Sequence, residues 1–449
     1  MNNFLNYLSE YTKDKNVCIL GFGREGKSTY RLLEKCGSCQ SVTISDLNPI
    51  DREAQGLPQS IRLITGADYQ SSLDEFDIVF KSPGIVLDNQ PEKLRCTITS
   101  ETQVFFEFFR SQIVGITGTK GKSTVSSLIY HILRESGKDC RLAGNIGIPV
   151  FDIAEDVTPE TIIVCELSCH QLEYMTVSPA VAVLLNLYEE HLDHYGTMER
   201  YTAAKENIYR HQITGDRLFC NYSLLPEEHK AAAFTLSSSD RKSEFHIENA
   251  QLTCNMGPVY KIPKDDIKLL GVHNHYNIAM AYLVCNLYGI VDSEFNSALA
   301  SFDPLSHRLE FVAEINAVRY YDDSISTACA TAIEAVKSIP SPGTILLGGM
   351  DRGIDYSELI EFLSGTDLNI ICMETSGRRI YEEITASDFN APERVHYAQH
   401  LDEAVKLASE ITPEGSSCVL SPASASYGIF KNFEERGDAF KKLVSELNI

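Results

Sequence analysis

The chain has 449 residues, 43% of them hydrophobic and 22% charged, proportions of a soluble globular protein with two or three domains. Its 62 acidic and 39 basic residues leave a formal charge of −23, which excludes a broad surface for phosphate backbones because nucleic-acid binding needs a basic footprint. Thirteen irregularly spaced cysteines suit a reducing compartment, the N-terminal residues lack a signal-peptide pattern, and the longest apolar runs are strand-length; a cytoplasmic protein with no nucleic-acid partner and no membrane insertion is expected.

In chain order, Asn16 to Leu20 reads as a strand, Ser28 to Lys35 as a helix, and Val42 to Ser45 and Phe76 to Phe80 as further strands. This rhythm predicts a parallel sheet covered by helices. Ser100 and Gln103 form a possible capping box for a helix carrying Phe105, Phe106, Phe108 and Phe109, which reads as a core or interdomain contact. A second α/β region begins at Ile113 and continues through the strand patterns Thr161 to Cys165 and Val181 to Leu187. Residues 226–268 read as a small antiparallel excursion within it. A third block has strand patterns at Thr344 to Leu347, Asn369 to Met373 and Cys418 to Leu420, and a helix pattern at Leu401 to Ser409. The expected organisation is three α/β domains, 1–99, 100–304 and 305–449.

The strongest chemical signal is Gly115-Ile-Thr-Gly-Thr-Lys-Gly-Lys-Ser-Thr124 between a strand and a helix pattern. Such a turn aims backbone N–H groups into a concavity, and the following helix adds partial positive charge. Gly118, Thr119, Lys120, Gly121, Lys122, Ser123 and Thr124 are therefore expected to bind ATP, with Lys122 on the terminal phosphates and Ser123 on a magnesium ion. The spacing is shorter than GxxxxGK[ST], since the first glycine of that pattern would fall on Ile116. Glu166 ends a buried strand pattern, at the edge of a parallel sheet where ligands collect, and reads as either a magnesium ligand or a strand-terminal surface acid.

Glu189-Glu190-His191-Leu192-Asp193-His194 reads as a divalent-metal segment or as a polar loop. Tyr201, Lys205 and Tyr209 are four apart, which puts Lys205 on an apolar helix face. Burial lowers a lysine pKa, and a neutral amine can take up CO2 as a metal-binding carbamate; a lysine that reaches its charge to water is the other reading. Gly21-Phe-Gly-Arg-Glu-Gly26, with Asp46 ending the next strand, matches a dinucleotide fingerprint. It fits NAD or a UDP group, and an NAD enzyme leaves the second phosphate loop unexplained.

The succession GFGREG, KSPGI, ITGTKGKST, GNIG, CELSCHQLE, NLYEEHLDHYG, YTAAKENIY, GVHNHYN, SHRLE, GGMDRG and SPASASYGIFKNFEERG resembles the Mur ligase family over nearly the whole chain. The resemblance implies a Rossmann-like N-terminal domain, a central P-loop ATPase-type domain and a Rossmann-like C-terminal domain. It implies an ATP- and Mg2+-dependent ligase that adds glutamate to UDP-N-acetylmuramoyl-L-alanine, acting as a monomer on small-molecule substrates. At matching positions it assigns Arg24, Glu25, Asp46, Ser82 and Asn145 to the UDP precursor, and Asn274, Asn277 and Arg308 to ATP. Ser123, Glu166, His191 and carbamylated Lys205 become the metal set; Lys122, His191, Lys205 and Arg308 become catalytic; Thr327, Arg352, Ser426, Tyr427 and Phe433 take glutamate. Two positions depart from the family pattern: Ile325 and Arg352 each stand where the family carries lysine. Both lie in the amino-acid segments and leave the glutamate enantiomer open, D or L. An NAD oxidoreductase and a non-catalytic nucleotide sensor are more distant readings.

Overall fold

Buried apolar runs alternating with amphipathic helices build three sheets in the computed structural model, which describes residues 3–263, 267–387, 389 and 391–447. The first contains β1 (Asn16–Leu20), β2 (Ser41–Asp46), β3 (Arg62–Thr65), β4 (Ile78–Lys81) and β5 (Thr97–Thr99) in the order β3-β2-β1-β4-β5, all parallel. Strand order reverses between β1 and β4, and ligands of such sheets bind at that reversal.

The second sheet contains β6 (Ile113–Thr117), β7 (Cys140–Gly144), β8 (Ile162–Glu166), β9 (Val181–Leu184), β10 (Arg217–Asn221), β11 (Ala232–Ser237), β12 (Phe245–Glu248), β13 (Gln251–Cys254) and β14 (Gly257–Lys261). Its order is β14-β13-β12-β11-β10-β9-β6-β8-β7. The excursion expected at 226–268 is antiparallel only in β12–β13–β14; β11 and β12 pair parallel, so the segment extends the main sheet.

The third sheet contains β15 (Glu310–Ile315), β16 (Val318–Asp322), β17 (Pro342–Leu347), β18 (Asn369–Met373), β19 (Val395–Ala398) and β20 (Ser417–Leu420), ordered β15-β16-β20-β17-β18-β19 with only β15 antiparallel.

Two compact units result: Met1–Pro263 with Tyr276–Leu299, and Lys264–His275 with Ala300–Ile449. The first two sheets thus share a unit, and one hydrophobic core runs from Phe4 to Ala231. The phenylalanine-rich helix Glu101–Phe109 is central to it: Phe105 and Phe109 lie 5.9 and 5.2 Å from the Phe4 ring. Only half of the expected capping box forms. Ser100 Oγ accepts from Gln103 N–H, while the Gln103 amide donates to Glu107 and Thr176. Among the described residues no helix is long and apolar enough to cross a membrane.

Candidate active site

Strand β6, buried along its whole length, delivers the phosphate loop to the carboxyl edge of the second sheet, and helix Lys122–Glu135 carries the chain away. The loop is held from three sides. Thr119 N–H donates to Asn186 O at 2.9 Å, Lys120 N–H to Asn186 Oδ1 at 2.8 Å, and Tyr188 N–H to Thr119 Oγ1 at 2.9 Å. The Thr119 and Tyr201 hydroxyls share a bond of 2.9 Å. Gly121, at φ +83°, has no room for a side chain, since a Cβ would stand 2.8 Å from Asn277 Oδ1. Asn277 is thereby placed against the loop. Lys120 reaches outward to Glu190 at 2.8 Å. Lys122 folds back to donate to Thr119 O at 3.0 Å; burial lowers its pKa, and the charges of Glu166 and Glu190 oppose that shift. Ser123 and Thr124 open the first helical turn, where unpaired N–H groups face the loop.

Beside β6, β8 brings Glu166 to the same edge in register with Ile116. Its side chain is fully buried; Oε1 accepts from Asn145 Nδ2 at 2.6 Å, and Oε2 has no hydrogen-bond partner. A buried unpaired carboxylate oxygen is costly, and a cation is what it lacks. The Lys205 side chain is 1% exposed, donates to Gly118 O at 2.9 Å, and is pushed down to about 8 by burial and then by the Lys122 charge. As an ammonium it is a donor only; as a carbamate it becomes an oxygen ligand. His191 is exposed and held at φ +57°. Ser123, Glu166, His191 and Lys205 therefore fit a divalent cation with oxygen and imidazole donors.

Sequence reasoning named His191 and His194 but passed over His170, which packs against both. His170 stands 5.1 Å from the His191 ring and 4.4 Å from that of His194, and burial followed by those imidazoles lowers it to about 4.

At the reversal point of the first sheet, a cleft of about 460 Å3 is lined by Gly21, Asp46, Gln70, Ser82 and Asp88 among others. Asp46 Oδ2 accepts from Phe22 N–H at 2.7 Å, and Ser82 Oγ donates to Gly21 O at 3.0 Å, so both shape the glycine turn. Arg24 donates to Gly147 O at 3.1 Å, and Glu25 accepts from Gln171 Nε2 at 2.8 Å while its other oxygen is buried and unpaired. Arg24, Glu25 and Asn145 are not among the residues lining that cleft; they make contacts with the second sheet's loops instead. Two more buried groups escaped the sequence reading. Lys81, lowered to about 8 by burial, donates to Pro83 O at 3.0 Å; Glu101, 2% exposed, is raised well above the carboxylate range by burial and by Glu25 and Asp152.

In the second unit, the segments predicted for glutamate converge at the carboxyl edge of the third sheet. The loop after β17 carries exposed Arg352, and Met350 N–H in that loop donates to Ala425 O at 2.8 Å, beside Ser426 and exposed Tyr427. Ser324, three residues before exposed Thr327, donates to Phe433 O at 2.8 Å. Arg436, 1% exposed and missed from sequence, joins these pieces through Ser324 Oγ, Ser324 O and Ser424 O at 2.8–3.0 Å. Ile325 N–H donates to His307 O. Asn274 donates to Leu270 O at 2.6 Å, and Arg308 is exposed. Both belong to the second unit, Asn277 to the first.

A phosphate loop at the edge of a mainly parallel sheet, in a chain with two further Rossmann-like sheets, defines a three-sheet P-loop α/β protein. Residues 116–285 match the Mur ligase middle domain. The UDP-N-acetylmuramoylalanine--D-glutamate ligase of Geobacillus kaustophilus is 33% identical, with 98% of this chain and 99% of that one covered. The enzyme of the same name from Acetivibrio thermocellus is 33% identical over the full length of both. Two Thermotoga maritima structures share the fold at 17% identity: UDP-N-acetylmuramate-alanine ligase MurC (TM-score 0.61; 96% and 100% covered) and MurF ligase in complex with ADP (0.60; 100% of both). The chain belongs to the Mur ligase family, ATP-dependent ligases of peptidoglycan precursor synthesis.

Proposed function

We propose that this protein joins D-glutamate to UDP-N-acetylmuramoyl-L-alanine in the cytoplasm, as a monomer, at the expense of ATP. The observation that carries the reading is the buried, unpaired Glu166 oxygen beside a built phosphate loop with half-buried Lys122 and buried Lys205, in a chain 33% identical throughout to relatives of that name. Residues 1–99 receive the UDP precursor through Arg24, Glu25, Asp46 and Ser82, with Asn145 reaching it from the central domain. Residues 100–304 take ATP on Gly118 to Thr124, Asn274 and Asn277. Residues 305–449 bring glutamate to Thr327, Arg352, Ser426, Tyr427 and Phe433.

The precursor's carboxylate attacks the γ-phosphorus of ATP, the bond to the bridging oxygen breaks, and ADP leaves. The amine of glutamate then attacks the acyl-phosphate carbonyl, loses a proton, and expels phosphate to form the amide. Two anions meet in the first step, so positive charge must stand between them; Lys122 and Arg308 supply it. Mg2+, held by Ser123, Glu166, His191 and the Lys205 carbamate, would add further shielding of the phosphates.

A second reading, addition of L-glutamate, is favoured by Ile325 and Arg352. A planar guanidinium forks onto a carboxylate where a lysine offers a point charge, which changes how an enantiomer is held. Phosphate release with UDP-N-acetylmuramoyl-L-alanine and each glutamate enantiomer tests both readings. Turnover with D-glutamate alone is expected; turnover with L-glutamate alone replaces the first reading by the second. Tight NAD(H) binding without turnover restores an oxidoreductase, and binding of ATP and precursor without turnover leaves a nucleotide sensor.

A further inference from the structure

We propose that Cys169, His170 and His191 form a site for a thiophilic divalent transition-metal ion of the zinc class, distinct in chemistry from the magnesium set. Each side chain offers one ligand atom, and these atoms lie within 4.8 Å of one another. Cys169 and His170 are consecutive in helix Cys169–Leu172, whose first turn is locked by the Ser168–Gln171 capping box, so the backbone fixes their separation. Cys169 is 2% exposed, a thiol sheltered from bulk solvent. His191 arrives from twenty-odd residues away, at φ +57° in the N-cap position of helix Leu192–Tyr195, with its side chain exposed.

The donor set decides the metal. One sulfur and two imidazoles suit zinc and its neighbours, whereas Mg2+ takes oxygen ligands and water. Zinc bonds of about 2.3 Å to sulfur and about 2.0 Å to nitrogen require the three atoms to draw in by about 1 Å. Exposed His191 is the member able to move. Tyr195 provides the outer contact that ligating imidazoles use: its hydroxyl lies 3.3 Å from His170 Nδ1, and its ring stacks on the imidazole at 8°. Binding converts the Cys169 thiol to a thiolate and gives its proton to solvent. Three protein ligands leave a fourth position for water.

His191 belongs to both sets, so an ion held by Cys169 and His170 withdraws that imidazole from the nucleotide metal. Zinc is therefore a reversible inhibitor competing with the Mg2+ arrangement; this consequence, unlike the binding, rests on the ligase reading. The test uses the metal-free full-length protein titrated with Co2+, read as a thiolate-to-cobalt charge-transfer band with intensified tetrahedral d–d absorption, then displaced by Zn2+. Wild type is expected to show the band and Cys169→Ser to lose it, with His170→Phe binding about tenfold more weakly or worse. Unchanged circular dichroism and thermal midpoints establish that both variants fold. Zinc is expected to inhibit wild-type turnover in saturating Mg2+, EDTA to relieve it, and both variants to keep basal turnover while resisting zinc. An absent band in wild type, or an equal band in Cys169→Ser, overturns the site. A normal band without inhibition keeps the site and overturns the coupling through His191; a normal band in a protein with no ligase activity separates the site from the ligase reading.

Discussion

Lys205 shows how one buried group ties stability to chemistry. Its ordinary pKa of 10.5 is pushed down to about 8, chiefly by burial. At pH 7 about a tenth of such amines are neutral, hundreds of times more than for a free lysine, and only the neutral form adds to CO2. Lys205→Ala is expected to lower turnover about a hundredfold or more, with partial rescue by formate or acetate occupying the vacated anion position. Unimpaired turnover removes the carbamate from the mechanism. The same shift predicts a stability signature in carbonate-free buffer. Between pH 8 and 10.5 the unfolded chain holds a proton that the folded amine does not, so stability rises with pH across that window. Lys81, also lowered to about 8, adds a second such rise, so the informative quantity is the difference between wild type and Lys205→Ala. The variant's thermal midpoint should climb less from pH 8 to 10.

At the scale of elements, the third sheet depends on a group that belongs to none of its strands. Arg436, from helix Phe433–Glu446, donates into the turn after β16 and the turn after β20, and burial lowers its pKa to about 10. Arg436→Met keeps much of the volume but strands two buried carbonyls, and should cost about 3 kcal/mol in chemical denaturation. Because Ser324 also fixes Phe433, the same change should raise KM for glutamate while KM for ATP stays near wild type; equal effects on both would refute a local role. Strand β6 with its glycine turn and helix was legible because each signal is local: an apolar run, glycines, then a polar cap. Arg436 was not, since it sits in a run of charged residues, Glu434-Glu-Arg-Gly-Asp438, that reads as a wet helix face. Lys81 and Glu101 failed for the same reason. Each ends or opens an element, where charges are usually exposed, and tertiary packing buries both. The Cys169–His170–His191 cluster joins segments whose proximity comes only from neighbouring loops at one sheet edge.

Across the whole molecule, 62 acids against 39 bases give a negative field that opposes every substrate of the proposed reaction, all of them anions. Two effects of salt then compete. Screening of remote acids helps anionic substrates approach; screening of the binding cations weakens their hold. Distance decides between them. The Debye length falls from about 30 Å at 0.01 M to about 10 Å at 0.1 M. Phosphates seated on the loop lie well inside either length from Lys122, which is half-buried and so less screened than a surface cation. The surplus acids are spread over the surface at larger separations. Raising ionic strength from about 0.01 to 0.1 M should therefore increase kcat/KM for ATP a few-fold, mainly through KM. Choline chloride and potassium chloride should act alike if screening is the cause, and an effect specific to potassium would point to a bound monovalent ion. A steady fall in kcat/KM over the same range would mean that exposed cations such as Lys120, rather than half-buried Lys122 and buried Lys205, dominate capture of the nucleotide.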